Sequence, residues 1–418
     1  MLNRRESPPS LPALSATGQG DSRPTLPTGS EPSESGRVAF VLGSGTGNDI
    51  ALIQQLARSG WEVHFGAVGV PATVSSRFAK SARVMPSDAA EWSAALSDWR
   101  ASINVKDHSR PAIIPTNDAG VAWMLEDPSA HSDFATPMVD EKATAALFYK
   151  DQLYEHCRAS EVPHTETIFV LDELSPTPAT SAGLPFPLAA KPSVPKRRMT
   201  AQQTSKIVQI DDSRALEAFC TSRLADVAVV CCAYVPHHEK ALVAMFLNHA
   251  SEAVFEHTYL VRAASPRENG NAVICSPLHD TDMPAHARRL ARSVGYRGFV
   301  EFEFIRADHD ERWLLIDAQC RTTLQNAGLV AAGLDMPKSM ESLLFGSPAP
   351  EPSNRRPKSW VDLPRLVERT LATGDWRERA RILLLGLRLL ASRRAVEATW
   401  NWRDSRSFAR RLWWATQK

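Results

Sequence analysis

At 418 residues, with 43% hydrophobic and 23% charged side chains, the chain has the balance of a globular protein of two or three domains. Its net charge of +1 gives no strong overall field towards nucleic acid, and no apolar run approaches the roughly 20 residues that cross a bilayer. Six cysteines without a CxxC pair read as reduced, packed thiols of a cytoplasmic protein, not a disulfide framework.

Residues 1–36 are rich in Pro, Ser, Gly and Thr and lack an apolar period, which predicts a disordered tail. The opening stretch is basic but has no continuous apolar core, so it does not read as a signal peptide. From Arg37, RVAFVLGSG is a buried strand ending in glycines, NDIALIQQLARSG is a helix, and WEVHFGAV is a second strand. This βαβ unit predicts a parallel sheet, and PAIIPTND adds a strand that ends in polar residues. A first α/β domain is expected over 37–140. The glycine turn GSGTGND, Gly43 to Asp49, is either a tight strand-to-helix connection or a cradle of backbone N–H groups for an anion. With no acidic residue ending the second strand, a dinucleotide is disfavoured and a substrate carboxylate is the better guess.

A helix over KATAALFYKDQLYEHCRAS and a strand over VPHTETIFV follow, then a strand FPLAAKP. Strands and helices alternate from Lys206 to about Asn326 in an α+β pattern. Beyond Gly333 the sequence turns helical, basic and Trp-rich, with 16 Lys/Arg against 7 Asp/Glu from Glu351 to Lys418.

The stretch from Gly298 to Arg321 is the most informative. Strand alternation sends Val300, Phe302 and Phe304 to one face and Glu301 and Glu303 to the other. With a turn centred near Asp310, Glu303 and Asp317 are each seven residues away and fall opposite each other, and Glu301 falls opposite Gln319. Opposed side chains of an antiparallel pair lie about 5 Å apart, so two carboxylates repel unless a positive group intervenes. A hard divalent cation with substrate phosphates is one answer; a solvated sheet face is the other.

On these motifs the chain resembles the ATP-grasp superfamily, as in carbamoyl-phosphate synthetase, biotin carboxylase and D-alanine–D-alanine ligase. The resemblance runs from about Arg37 to the end. It implies a Rossmann-like pre-ATP-grasp domain over 37–140, a two-lobed ATP-grasp domain over 141–345 with a hinge near 229–236, and a helical extension over 346–418. YKDQLYEHCRASEVPHTET matches the element that supplies a phosphate-binding lysine, Lys150, and FPLAAKP matches the one that supplies a second, Lys191. The segment from Lys191 to Lys206 stands where the family has a glycine-rich phosphate loop, here with Lys196, Arg197 and Arg198 instead of glycine. VAVVCCAYVPHHE resembles the hinge whose backbone holds adenine, which places Tyr234 and Val235 there and Glu239 at the ribose, with Ala233 and His237 departing from the pattern. The hairpin fits the family's metal ligands as Glu303, Asp317 and Gln319, and Arg321 would stabilise the acyl phosphate. Arg262 and Arg267 match the acceptor-side strand and loop.

The activity so implied is an ATP-dependent ligase, using Mg²⁺ or Mn²⁺, that activates a small carboxylate as an acyl phosphate for attack by an amine or similar nucleophile. The alternative is a non-catalytic nucleotide-binding protein with a degenerate site. RERARILLLGLRLLASRRAVEATWNWRD resembles the family's tail, with Ser405 where proline is usual. Packing of its helix on the core is expected; lying on an anionic membrane surface is the less favoured alternative.

Overall fold

The computed structural model describes residues 37–70, 76–103, 110–171, 184–192, 207–223, 229–265, 270–308, 312–351, 353, 355–372 and 376–416. The expected tail and the residues Lys196, Arg197, Arg198 and Arg267 lie outside them.

The βαβ reading is realised in a four-stranded parallel sheet. Its strands are β1 (Val38–Gly43), β2 (Glu62–Ala67), β3 (Ser81–Val84) and β4 (Ala112–Pro115), in the order β3-β2-β1-β4. Helix α1 (Gly47–Arg58) opens on a capping box, in which Asp49 returns to the Thr46 backbone. Helices α2 (Trp92–Ser102) and α3 (Asp118–Glu126) follow, and Asn117 caps the latter by accepting from the Gly120 N–H at 2.8 Å.

Helices α4 (Glu141–Phe148) and α5 (Lys150–Ala159) lead into a four-stranded antiparallel sheet. It contains β5 (Thr167–Leu171), β6 (Leu188–Pro192), β7 (Val208–Ile210) and β8 (Val229–Ala233), ordered β5-β8-β6-β7 and backed by α6 (Ser213–Arg223). Tyr234 to Pro236 then carry the chain into β9 (His237–Leu247), an interior strand of a seven-stranded sheet.

That sheet adds β10 (Ala253–Ser265), β11 (Asn271–Pro277), β12 (Gly298–Ala307) and β13 (Trp313–Gln319), with α7 (Asp282–Ser293) between β11 and β12. Alternation splits β9 and β12 between two cores. Val243, Phe302 and Phe304 pack with Leu153 of α5 and with Ala287 and Leu290 of α7. Leu242, Phe246 and Phe299 pack with Leu52 and Leu56 of α1 and with α8 (Asn326–Ala332) and α9 (Met336–Phe345).

Past α9 the chain is not purely helical. Short strands β14 (Ser359–Val361) and β15 (Ala395–Glu397) extend the large sheet to the order β13-β12-β9-β10-β11-β14-β15. Three residues carry too little alternation to show in a sequence; these strands exist because β11 offers an edge at Ile274 and Cys275. Between them run α10 (Leu363–Ala372) and α11 (Trp376–Ala391), and α12 (Ser405–Thr416) follows. Gly386 lets α11 approach Leu366 of α10, where a Cβ would collide with the leucine side chain. All six cysteines are free, and no described helix is long and apolar enough to cross a membrane.

Candidate active site

The β12–β13 register is the one the turn count predicts: Glu303 pairs with Asp317 and Glu301 with Gln319. A bulge between Glu303 and Phe304 follows that rung. The positive charge that such a rung requires is supplied by lysines. Lys150, the first residue of α5, reaches Asp317 at 2.5 Å, and Lys240 of β9 reaches Glu303 at 2.5 Å. Gln319 donates to the same Glu303 carboxylate at 2.7 Å. Burial weakens both ammonium groups, but the Asp317 and Glu303 carboxylates outweigh it and hold both lysines above their ordinary pKa.

Lys191 differs. It projects from β6 into the same cluster and is only 4% exposed. Its Nζ donates to the Tyr154 hydroxyl at 3.0 Å, and it forms no ion pair among the described residues. Burial lowers its pKa, offset in part by Cys232 and by the Asp317 and Glu303 carboxylates nearby. The Tyr154 hydroxyl donates onward to the Ile316 carbonyl at 2.9 Å. A buried ammonium held only by a phenol lacks the counter-charge that offsets the cost of its burial.

Arg321 lies two residues beyond Gln319, just past the end of β13. Its Nε donates to Asp118 of α3 at 2.7 Å, so the large sheet is tied to the carboxyl end of the first sheet. Asn48 bridges the same corner, donating to the carbonyls of Thr116 at 3.1 Å and Thr322 at 2.8 Å. The glycine turn beside it is filled from within. Asp49 is fully buried, accepts from the Thr46 N–H at 2.6 Å and from the Thr116 hydroxyl, and burial raises its pKa. A side chain at Gly43 would collide with that carboxylate. The anion cradle therefore holds the protein's own carboxylate.

In the segment expected to be the hinge, the Tyr234 N–H donates to the Pro187 carbonyl at 3.0 Å. The His237 ring donates from Nδ1 to the Val235 carbonyl at 3.0 Å. Glu239 ion-pairs with Arg306 at 3.1 Å. A cavity of about 1370 Å³ opens here, lined by Tyr234, Pro236, Glu239, Lys240, Arg262 and, from α11, Arg381. Arg262 stands on its β10 wall and donates to Ser276 at 2.7 Å.

The structure thus gathers Lys150, Lys191, Glu303, Asp317 and Gln319 into one contact network. Arg321 lies two residues past Gln319, and Tyr234, Glu239 and Arg262 line the adjoining cavity. Sequence reasoning missed Tyr154, Lys240 and Asp118. Tyr154 lies one helical turn from Lys150, and Lys240 lies two residues before Leu242, the β9 partner of Glu303; both spacings were readable.

Comparison with solved structures agrees on one architecture. N5-carboxyaminoimidazole synthetase from Staphylococcus aureus, complexed with ADP, superposes with a TM-score of 0.55 at 12% identity, over 76% of this chain and 79% of that one. The biotin carboxylase domain of Hydrogenobacter thermophilus 2-oxoglutarate carboxylase, with MgADP and bicarbonate, gives 0.58 at 12% identity, over 77% and 72%. L-amino acid ligase from Bacillus licheniformis gives 0.54 at 9%, over 78% and 79%.

This chain has the ATP-grasp fold.

At such identities the likeness concerns the fold. No protein-family model matches the sequence, and no curated protein matches it significantly. The lysine–carboxylate network draws Lys191 from the β5–β8 sheet and Lys240, Glu303 and Asp317 from the large sheet.

Proposed function

We propose that this chain is an ATP-dependent ligase that activates a small carboxylate as an acyl phosphate for attack by an amine or similar nucleophile. Lys191 carries the reading. An ammonium buried without an anionic partner, between two lysine–carboxylate pairs, is a place prepared for phosphate. Lys150 and Lys240 add charge on either side of it, and the hinge at Tyr234 and Val235 would flank the base, with Glu239 near the sugar.

The donor set fits a hard divalent cation. Glu303 and Asp317 oppose each other on one rung, and Gln319 adds an amide oxygen. Among the described residues no three acidic, His or Cys side chains gather for a metal, so phosphate oxygens and water would complete the shell. When bound, Mg²⁺ supplies charge neutralisation of the transferring phosphoryl group. The chain's own residues do the rest. Lys191 and Lys150 orient the phosphates, releasing Asp317 as they do. Arg321 offsets the charge of the acyl phosphate, and Asp118 fixes its guanidinium. In the first step a carboxylate oxygen bonds to the terminal phosphorus and the bond to ADP breaks. In the second, the nucleophile bonds to the acyl carbon, phosphate leaves, and the nucleophile's proton passes to solvent. No protein nucleophile is required.

A second reading, a nucleotide-binding protein without turnover, is favoured by the saturation of both carboxylates with lysine and by the His237 ring on the Val235 carbonyl. Phosphate release, measured across a panel of amino acids and small carboxylates with ATP, separates the two. The ligase reading expects release that depends on one carboxylate and disappears in Glu303→Gln. No release with any carboxylate, together with unchanged Mg-ATP binding by Glu303→Gln, overturns it.

A further inference from the structure

Of the ten exposed large hydrophobic side chains among the described residues, eight lie between Leu371 and Trp413. Such a concentration on a folded surface marks an interaction site, not scatter. Helix α11 shows how it is organised. Its Ile382, Gly386 and Leu389 face α10 and β14 in a small core with Leu366 and Val361. At about 100° per residue, Trp376, Leu384 and Leu387 share the opposite face. They are 69%, 57% and 45% exposed.

Arg388 flanks this stripe, and Arg393 and Arg394 stand exposed just beyond the helix, while Arg377 and Arg381 also line the cavity beside the candidate site. The Arg377 guanidinium lies 5.6 Å from the Trp376 ring centre. The acidic residue of α11, Glu378, turns inward and pairs with Arg369 at 3.2 Å. The outer face therefore carries an apolar stripe, an indole and a one-signed border of charge. Trp400, Trp402 and Trp413 add exposed indoles in the same segment.

We infer that the outer face of α11 docks this protein on an anionic bilayer surface. Charge complementarity selects the occupant. A second copy related by a two-fold axis would bring the arginine border against itself. An anionic headgroup layer neutralises all of it at once, while leucine and indole enter the acyl boundary. The helix lies in the interface and does not cross it, since its inner face is already buried against the protein.

The test uses the full chain and vesicles of equal parts phosphatidylglycerol and phosphatidylcholine, with phosphatidylcholine alone as control. The expected result is co-flotation with the mixed vesicles at low salt, reduced at high salt. Arg388→Ala and Arg393→Ala should each lower partition about fivefold. Leu384→Asp with Leu387→Asp should abolish it while leaving the melting temperature unchanged, because both side chains are exposed. Equal binding to both vesicle types, or none to either, overturns the inference. So does self-association in solution that the Leu384→Asp, Leu387→Asp variant dissolves, because the occupant would then be a second copy.

Discussion

Lys191 is a buried ammonium without an anionic partner among the described residues, a disadvantage that a bound phosphate would remove. Replacing it with methionine keeps the stem's packing and discards a buried charge. The Tyr154 hydroxyl remains satisfied by the Ile316 carbonyl. Lys191→Met should therefore melt no lower than the parent, and higher by the equivalent of about 1–4 kcal/mol if the ammonium is fully desolvated. ATP should raise the parent's melting temperature and the same variant should lose that rise, which thermal scans with and without nucleotide would show. A variant that melts lower but keeps the nucleotide shift would make Lys191 a structural residue. Its depressed pKa also has a sign. The unfolded chain takes up the proton more readily, so the parent gains stability as pH rises towards the ordinary lysine value, and the methionine variant should lack that gain. Lys191 was singled out through the likeness of FPLAAKP to the ATP-grasp lysine element, since a lysine in a strand pattern taken alone reads as surface charge. Asp49 was not, because only the fold brings Thr116, just past β4, to its carboxylate and so shows that the glycine turn is already filled.

The β12–β13 hairpin is a rung of two carboxylates, each secured by one lysine from another element. The rung was legible from counting about the turn, since pairing in a hairpin is fixed by the turn and the alternation of faces. Its lysine partners were harder to see. Lys240 follows Glu239, and the hinge pattern drew attention to the glutamate, which the structure commits to Arg306. Lys240→Met should destabilise the protein by about 3 kcal/mol, because it leaves the Glu303 carboxylate in a largely buried place without its cation. Adding Glu303→Gln should recover most of that loss. A double-mutant cycle from denaturant unfolding measures the coupling. Additive effects would mean that the two groups do not interact in solution.

At the scale of the whole molecule, the segment 397–411 closes the chain back on the first sheet. Arg411 pairs with the fully buried Asp362 at 3.0 Å beside the start of α1, and Glu397 accepts from the Leu363 and Thr399 backbones. Burial, with Asp362 nearby, pushes the Glu397 carboxyl up to about 7 from 4.5. The folded protein thus holds a proton there that the unfolded chain gives up. Stability should fall as pH rises from 4.5 to about 7, and Glu397→Gln should flatten that stretch of a melting-temperature profile. An unchanged slope would remove Glu397 as its source. None of this closure shows in the sequence, because its partners are hundreds of residues apart. Gln54 of α1 donates to Asp404 at 3.0 Å across 350 positions, and the Arg77 N–H reaches the same carboxylate at 3.1 Å. That spacing has a consequence in time. A ribosome adding about 5–20 residues per second presents Asp404 roughly 20–70 s after Gln54. Throughout that interval the nascent first sheet carries α1 with its amide and the donors near Arg77 still facing water. The part of the protein made first is among the last to be finished.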